Sequence, residues 1–98
     1  MGTLTLCCLL WAAPGAATDL RRYEDAVLAL LPDHGGRVVQ RARGDGADGR
    51  PHEVQLLVLP DAEALDRYVA DPRRLALAHE RDRVVARTEL FPVELLTG

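Results

Sequence analysis

The sequence predicts an α+β fold with the element order βαββαβ and a four-stranded antiparallel sheet. Three observations carry that prediction. Apolar stretches at 3–11, 52–60 and 89–96, and a polar one at 36–43, have the length of strands. Between the first and second, and between the third and fourth, apolar residues recur at helical spacing. Pro or Gly punctuates most of the junctions. The chain of 98 residues is long enough for one core without staples and shows no linker, repeat or low-complexity segment, so residues 1–98 read as one domain.

The first element decides the compartment. "TLTLCCLLWAAPGAATD" (3–19) is apolar and closes on small residues, as an export signal would. It lacks the basic start of such a signal, because the first basic residue is Arg21. Read as a strand, it places Thr3, Thr5, Cys7, Leu9 and Trp11 on one face and Leu4, Leu6, Cys8 and Leu10 on the other. The strand reading explains more, and it implies a cytoplasmic protein with reduced thiols. Neighbouring cysteines on a strand point apart, so Cys7 and Cys8 serve as small hydrophobes.

Thr18 is the expected N-cap of the first helix, with Asp19 in its first turn. Leu20, Tyr23, Val27, Leu30 and Leu31 form its apolar stripe, and Pro32 with Gly35-Gly36 closes it. "GRVVQRAR" (36–43) is a polar strand, "GDGADGRP" (44–51) a loop, and "HEVQLLVLP" (52–60) an apolar strand. Asp61 caps a second helix, marked by Leu65, Tyr68 and Val69 and broken at Asp71-Pro72. A further helical segment runs from about Leu75 towards Val85, and "ELFPVELL" (89–96) is the last strand. The first and third strands are apolar on both faces and belong in the centre. The Arg-rich second strand and the fourth, with Pro92, belong outside. That is the split-βαβ, ferredoxin-like arrangement. Its two helices cover one sheet face. The other keeps Leu9 and Trp11, with Val54, Leu56 and Val58 or their alternates from the third strand, and an apolar face of that size calls for a partner, most economically a second copy of the chain.

Composition excludes several classes. All 12 basic residues are Arg and the acids number 15, with no basic cluster clear of acids, so a nucleic-acid surface is not expected. No apolar run reaches the roughly 18 residues of a membrane span, and no membrane partner is expected. Gly44, Gly46 and Gly49 match G-x-G-x-x-G, but a strand follows instead of a helix, so the motif reads as a hairpin tip and no cofactor is implied. "HERDR" (79–83) lacks the second histidine of a zinc helix, and no metal is expected. The chain contains no serine.

The candidate site residues follow. His34 lies between a helix and a tight turn, where it can titrate near neutrality as a general acid or base, or simply suit a helix end. Tyr23 and Tyr68 occupy apolar-stripe positions, as core residues or with hydroxyls reaching a cavity between helix and sheet. Arg41 and Arg43, on the strand that follows, could bind or polarise a ligand.

"YEDAVLALLPDHGGRVVQRA" (23–42) resembles the helix, His-Gly-Gly turn and strand of an uncharacterised family, number 1330 among domains of unknown function. "VQLLVLPDAEALDRYVADP" (54–72) is similar to that family's next strand, turn and helix, with Leu59 where the family has Phe. The resemblance implies the dimeric α+β barrel superfamily, whose members include cofactor-free monooxygenases, muconolactone isomerase-like enzymes and proteins of unclear role. One scaffold with many chemistries does not select a function. The expectation is a small cytoplasmic homodimer that binds a small organic molecule between helices and sheet. A cofactor-independent monooxygenase or isomerase acting on an aromatic or polyketide-like substrate, with His34 as acid/base, is the alternative, and a structural or interaction module is the third reading.

Overall fold

The computed structural model describes residues 3–97. Its strands are β1 (Leu4–Ala12), β2 (Arg37–Arg43), β3 (Glu53–Leu59) and β4 (Val85–Pro92). Its helices are α1 (Ala17–Leu28), α2 (Ala62–Val69), α3 (Pro72–Leu75) and α4 (Ala78–Val84). The strands form one antiparallel sheet in the order β2-β3-β1-β4, the ferredoxin-like arrangement expected, with the two most apolar strands in the middle.

The period-2 pattern of β1 and β3 sorts their side chains cleanly. Leu6, Cys8 and Leu10 of β1 and Gln55, Leu57 and Leu59 of β3 are buried beneath the helices. Thr5, Cys7, Leu9 and Trp11, with Val54, Leu56 and Val58, are only half-covered on the other face. Phe91 of β4 pairs with Cys7 and extends that face. The open apolar face is therefore where the alternation placed it.

Under the helices the core has two lobes. Leu6, Leu28, Leu31, Leu57, Leu59, Ala64 and Tyr68 form one, and Cys8, Leu10, Ala16, Leu20, Tyr23, Val27 and Val84 the other. Each fully buried leucine contributes about 1.5–3 kcal/mol of apolar burial.

Helix α1 departs from expectation at its start. It begins at Ala17 with Ala16 at the cap position and no side-chain cap, so Thr18 sits inside the first turn. It ends at Leu28, before the expected Leu30 and Leu31, and a 3-10 turn over Leu31–His34 leads to the expected glycine turn, with Gly35 in the left-handed conformation at φ +78°. Asp61 caps α2 as expected, its Oδ1 accepting the Ala64 N–H at 2.8 Å. The last strand begins four residues earlier than the expected 89–96 and stops at Pro92. Helix α4 runs straight into it at Val84-Val85 without a Gly or Pro to mark the junction, and proline ends its donor pattern.

The G-x-G-x-x-G segment is the hairpin tip between β2 and β3, containing a short 3-10 turn and no following helix. A Cβ on Gly46, at φ +71°, would overlap the His52 ring, so glycine is required there. His52 is fixed in turn, because its Nδ1 accepts the Ala12 N–H at 2.9 Å. The Trp11 indole N–H donates to the Gly49 carbonyl at 2.8 Å and ties the tip to the end of β1.

One irregularity bears on function. A bulge between Val38 and Gln40 leaves Val39 without a partner in the β2–β3 register. The extra residue shifts the alternation, so Arg41 pairs opposite Gln55 and Arg43 opposite Glu53, on the helix side. Without the bulge both arginines would face the open side.

Candidate functional site

A cavity of about 70 Å³ lies between the helices and the sheet, open at one side. Leu10, Leu28, Leu31, Leu57, Leu59 and Leu65 make most of its wall, and Val69 and Leu90, both well exposed, stand at its edge. Its polar lining is sparse: Glu24 from α1, Gln55 from β3, Tyr68 from α2, Arg74 from α3, Arg81 from α4, with Thr88 and the Cys8 thiol. An apolar wall with a few convergent polar groups is the usual composition of a small-molecule site.

Glu24 is 5% exposed although it is a carboxylate. It lies one turn from Leu20 and one turn from Leu28, both buried, so the helix carries it inward with them. Gln55, 1% exposed, alternates with Leu57 and Leu59 and comes inward for the same reason. The Gln55 amide donates to Glu24 Oε1 and to Glu53 Oε2, each at 2.8 Å. Burial pushes the Glu24 carboxyl above the usual carboxylate range, and the nearby Glu53 adds to this, while the Gln55 hydrogen bond and Arg74 oppose it.

The chain of polar contacts continues outward. Arg41 Nε donates to Glu53 Oε2 and Arg41 Nη1 to Asp25 Oδ1, both at 2.7 Å. These carboxylates raise the Arg41 pKa further, so it is a permanent cation. A buried amide thus links the cavity carboxyl to a surface ion-pair cluster, and the bulge in β2 supplies the arginine.

A second cluster backs the cavity at Tyr68. Its hydroxyl donates to the Val27 carbonyl at 3.0 Å, and the Arg74 guanidinium stands 5.1 Å from its ring centre. Burial pushes the Tyr68 phenol up to about 12, against the pull of Arg74. The His34 ring meets Tyr68 edge-on at 6.0 Å, and its Nε2 lies 2.8 Å from Asp71 Oδ2. Asp71 also receives the Arg73 backbone and side-chain N–H groups, which, with His34, hold its carboxyl well below the usual range. An ionised Asp71 accepts, so His34 Nε2 carries the hydrogen and donates.

The expected site residues therefore fall into three places. His34 and Tyr68 come together, with Tyr68 on the cavity wall and His34 behind it, outside the lining. Arg41 belongs to the Glu53–Asp25 cluster, and Arg43 lines a shallow groove at the β2 edge with Arg21 and Arg41. Tyr23 is buried in the second core lobe, and burial raises its phenol. Both cysteines are free; burial pushes the Cys8 thiol up to about 12, which makes it a poor nucleophile at neutral pH. His79, Glu80, Asp82 and Arg83 of the "HERDR" segment are a solvated helix face, with Arg83 paired to Glu80 and Asp19, while Arg81 stands at the cavity. The cavity groups Glu24, Gln55 and Arg74 were not among the expected residues. The spacing 20-24-28 and the alternation 55-57-59 could have found the first two, whereas nothing in the pattern around Asp71-Pro72 marks Arg74.

Among the described residues, no helix is long and apolar enough to cross a membrane. No family model matches the chain, and no curated protein matches it in sequence. Among solved structures it is similar to a Pseudomonas aeruginosa protein (TM-score 0.74, 22% identity, 99% of this chain and 97% of that one). It is similar to a dabb family protein with a ferredoxin-like fold from Mesorhizobium loti (0.69, 15%, 99% and 100%). A third is a provisionally named antibiotic biosynthesis monooxygenase from Bacteroides thetaiotaomicron (0.75, 13%, 98% and 91%). At these identities the shared property is the ferredoxin-like fold.

Proposed function

We propose that this chain is a small-molecule-binding protein of the cytoplasm, acting as a homodimer that takes an organic ligand into the cavity between helices and sheet. The observation that carries the reading is the leucine-walled cavity with Glu24, Gln55 and Arg74 as its convergent polar groups. The homodimer is argued from the open sheet face, where Leu9, Leu56, Val58 and Phe91 lie side by side across three strands. A fragment screen read by melting temperature tests ligand binding, and light scattering tests the dimer. Ligands that raise the melting temperature, and a solution mass near twice 10.7 kDa, are the expected results. A clean monomer, or a library that leaves the melting temperature unmoved, refutes the corresponding half.

A second reading, a cofactor-independent monooxygenase or isomerase, is favoured by one feature: Glu24, a buried carboxyl with a raised pKa at the cavity. Such a group keeps its proton to higher pH than an exposed carboxyl and can exchange it with a ligand. Glu24 is better placed for that role than His34, whose ring faces Asp71 and the edge of Tyr68. Turnover of a bound fragment, lost in Glu24→Gln but kept in His34→Gln, is the result this reading requires.

A further inference from the structure

We infer that the cavity binds its ligand as an anion: a small organic acid with its apolar body against the leucine wall and its oxyanion at the Arg74 guanidinium. The inference rests on the reading that this cavity is the ligand site.

Arg74 Nε is the one buried side-chain polar atom, among the described residues, that meets no hydrogen-bond partner. More than nine in ten buried polar groups are satisfied in native proteins, so an unmet donor on a cationic group calls for a specific explanation. Leaving such a donor unmet is costly, and more so when it belongs to a charge. The same guanidinium, and that of Arg81 on the same cavity, form no ion pair among the described residues, whereas seven other arginines do. Arg81 is exposed to solvent, so Arg74 is the half-buried cation without an anionic partner in a pocket whose wall is mostly leucine.

The one carboxyl in the lining does not contradict an anionic ligand. Burial favours the neutral form of Glu24. Its Oε1 accepts the Gln55 amide, which further occupies it. The head group is therefore specified by Arg74, and the tail by the leucines. Phosphate esters fit less well, because a head group of two charges needs more donors than this lining supplies.

Hexanoate and hexanamide share a tail and differ in charge, so calorimetric titration of each into the full-length protein isolates the head group. Hexanoate is expected to bind at least tenfold more tightly, about one decade in Kd. Arg74→Gln is expected to weaken hexanoate binding roughly 10- to 100-fold, the worth of a charge-assisted hydrogen bond, and to leave hexanamide within about twofold. Arg74→Lys keeps a cation but replaces the planar guanidinium by a single ammonium, and it is expected to lose at least half of the affinity that Arg74→Gln loses, on a logarithmic scale. It serves in place of Arg74→Gln if that variant fails to melt cooperatively. Equal affinity for the two probes, tighter binding of hexanamide, or undiminished hexanoate binding in the Arg74 variants overturns the anion inference while the cavity stays a ligand site. Absence of binding by both probes and by neutral fragments overturns the cavity reading itself.

Discussion

Replacing Gln55 with leucine removes one amide that serves two carboxylates. Gln55 is 1% exposed and donates both of its amide hydrogens, to Glu24 and Glu53, at 2.8 Å. A hydrogen bond to a charged group is worth about 1.5–3 kcal/mol, so the pair holds about 3–6 kcal/mol. Glu53 keeps Arg41 Nε at 2.7 Å, which places the loss at the lower end of that range. Leucine returns about 1.5–3 kcal/mol of apolar burial. The expected net loss is about 1 kcal/mol at pH 8, or about 4–8 °C in melting temperature for a domain near 100 residues. The loss also depends on pH. The Gln55 bond is what pulls the Glu24 carboxyl down, so without it the buried carboxylate is harder to ionise. At low pH Glu24 is neutral in both proteins and the bond is worth less. Urea unfolding of both proteins at pH 8 and pH 4.5 measures this, with m-values checked for a common two-state transition. A variant as stable as the parent at pH 8, or one whose loss grows towards acid, refutes the network as described.

Three further outcomes are expected. In Glu24→Gln the amide oxygen keeps its Gln55 partner while the charge is lost. The raised Glu24 pKa contributes stability that is complete at acid pH and is lost as pH rises through its titration, so urea unfolding should show the variant gaining on the parent between pH 4.5 and pH 8. Leu59→Ala removes a fully buried side chain beside an existing void that cannot refill it; calorimetry or denaturation should show a loss near the upper end of the leucine series, about 4–5 kcal/mol. Gly46→Ala forces a Cβ onto the His52 ring at φ +71°, and should cost more than the about 1–3 kcal/mol of left-handed strain alone; Gly49→Ala, whose Cβ would meet nothing within 4 Å, should cost less.

The order of strands was legible because burial on both faces leaves a direct mark. Leu6, Cys8 and Leu10 alternate with Cys7, Leu9 and Trp11, so β1 is apolar throughout and must be central, whereas Arg37–Arg43 cannot be. Boundaries were less legible where the chain passes between elements without punctuation. Val84-Val85 turns from α4 into β4 with no Gly or Pro, and Ala16 precedes α1 at the cap position without a capping side chain. The site was the least legible part. His34 and Tyr68 are adjacent, yet polar residues drawn from a helix stripe, a strand and a short helix supply the cavity's polar groups. Glu24 and Gln55 are read as surface residues by type and as core residues by spacing, and spacing prevails. Arg41 reaches the network through a bulge at Val39, which no local pattern announces. A one-residue slip of that kind changes which face a side chain serves while leaving the strand assignment intact.

The most direct test of the account is the methyl NMR spectrum of the leucines and valines as hexanoate is added to the full-length protein. The account predicts shifts concentrated on Leu57, Leu59, Leu65, Val69 and Leu90 around the cavity, with Leu9, Leu56 and Val58 on the open face unmoved. Shifts confined to the open face, or no saturable shifts at all, contradict it.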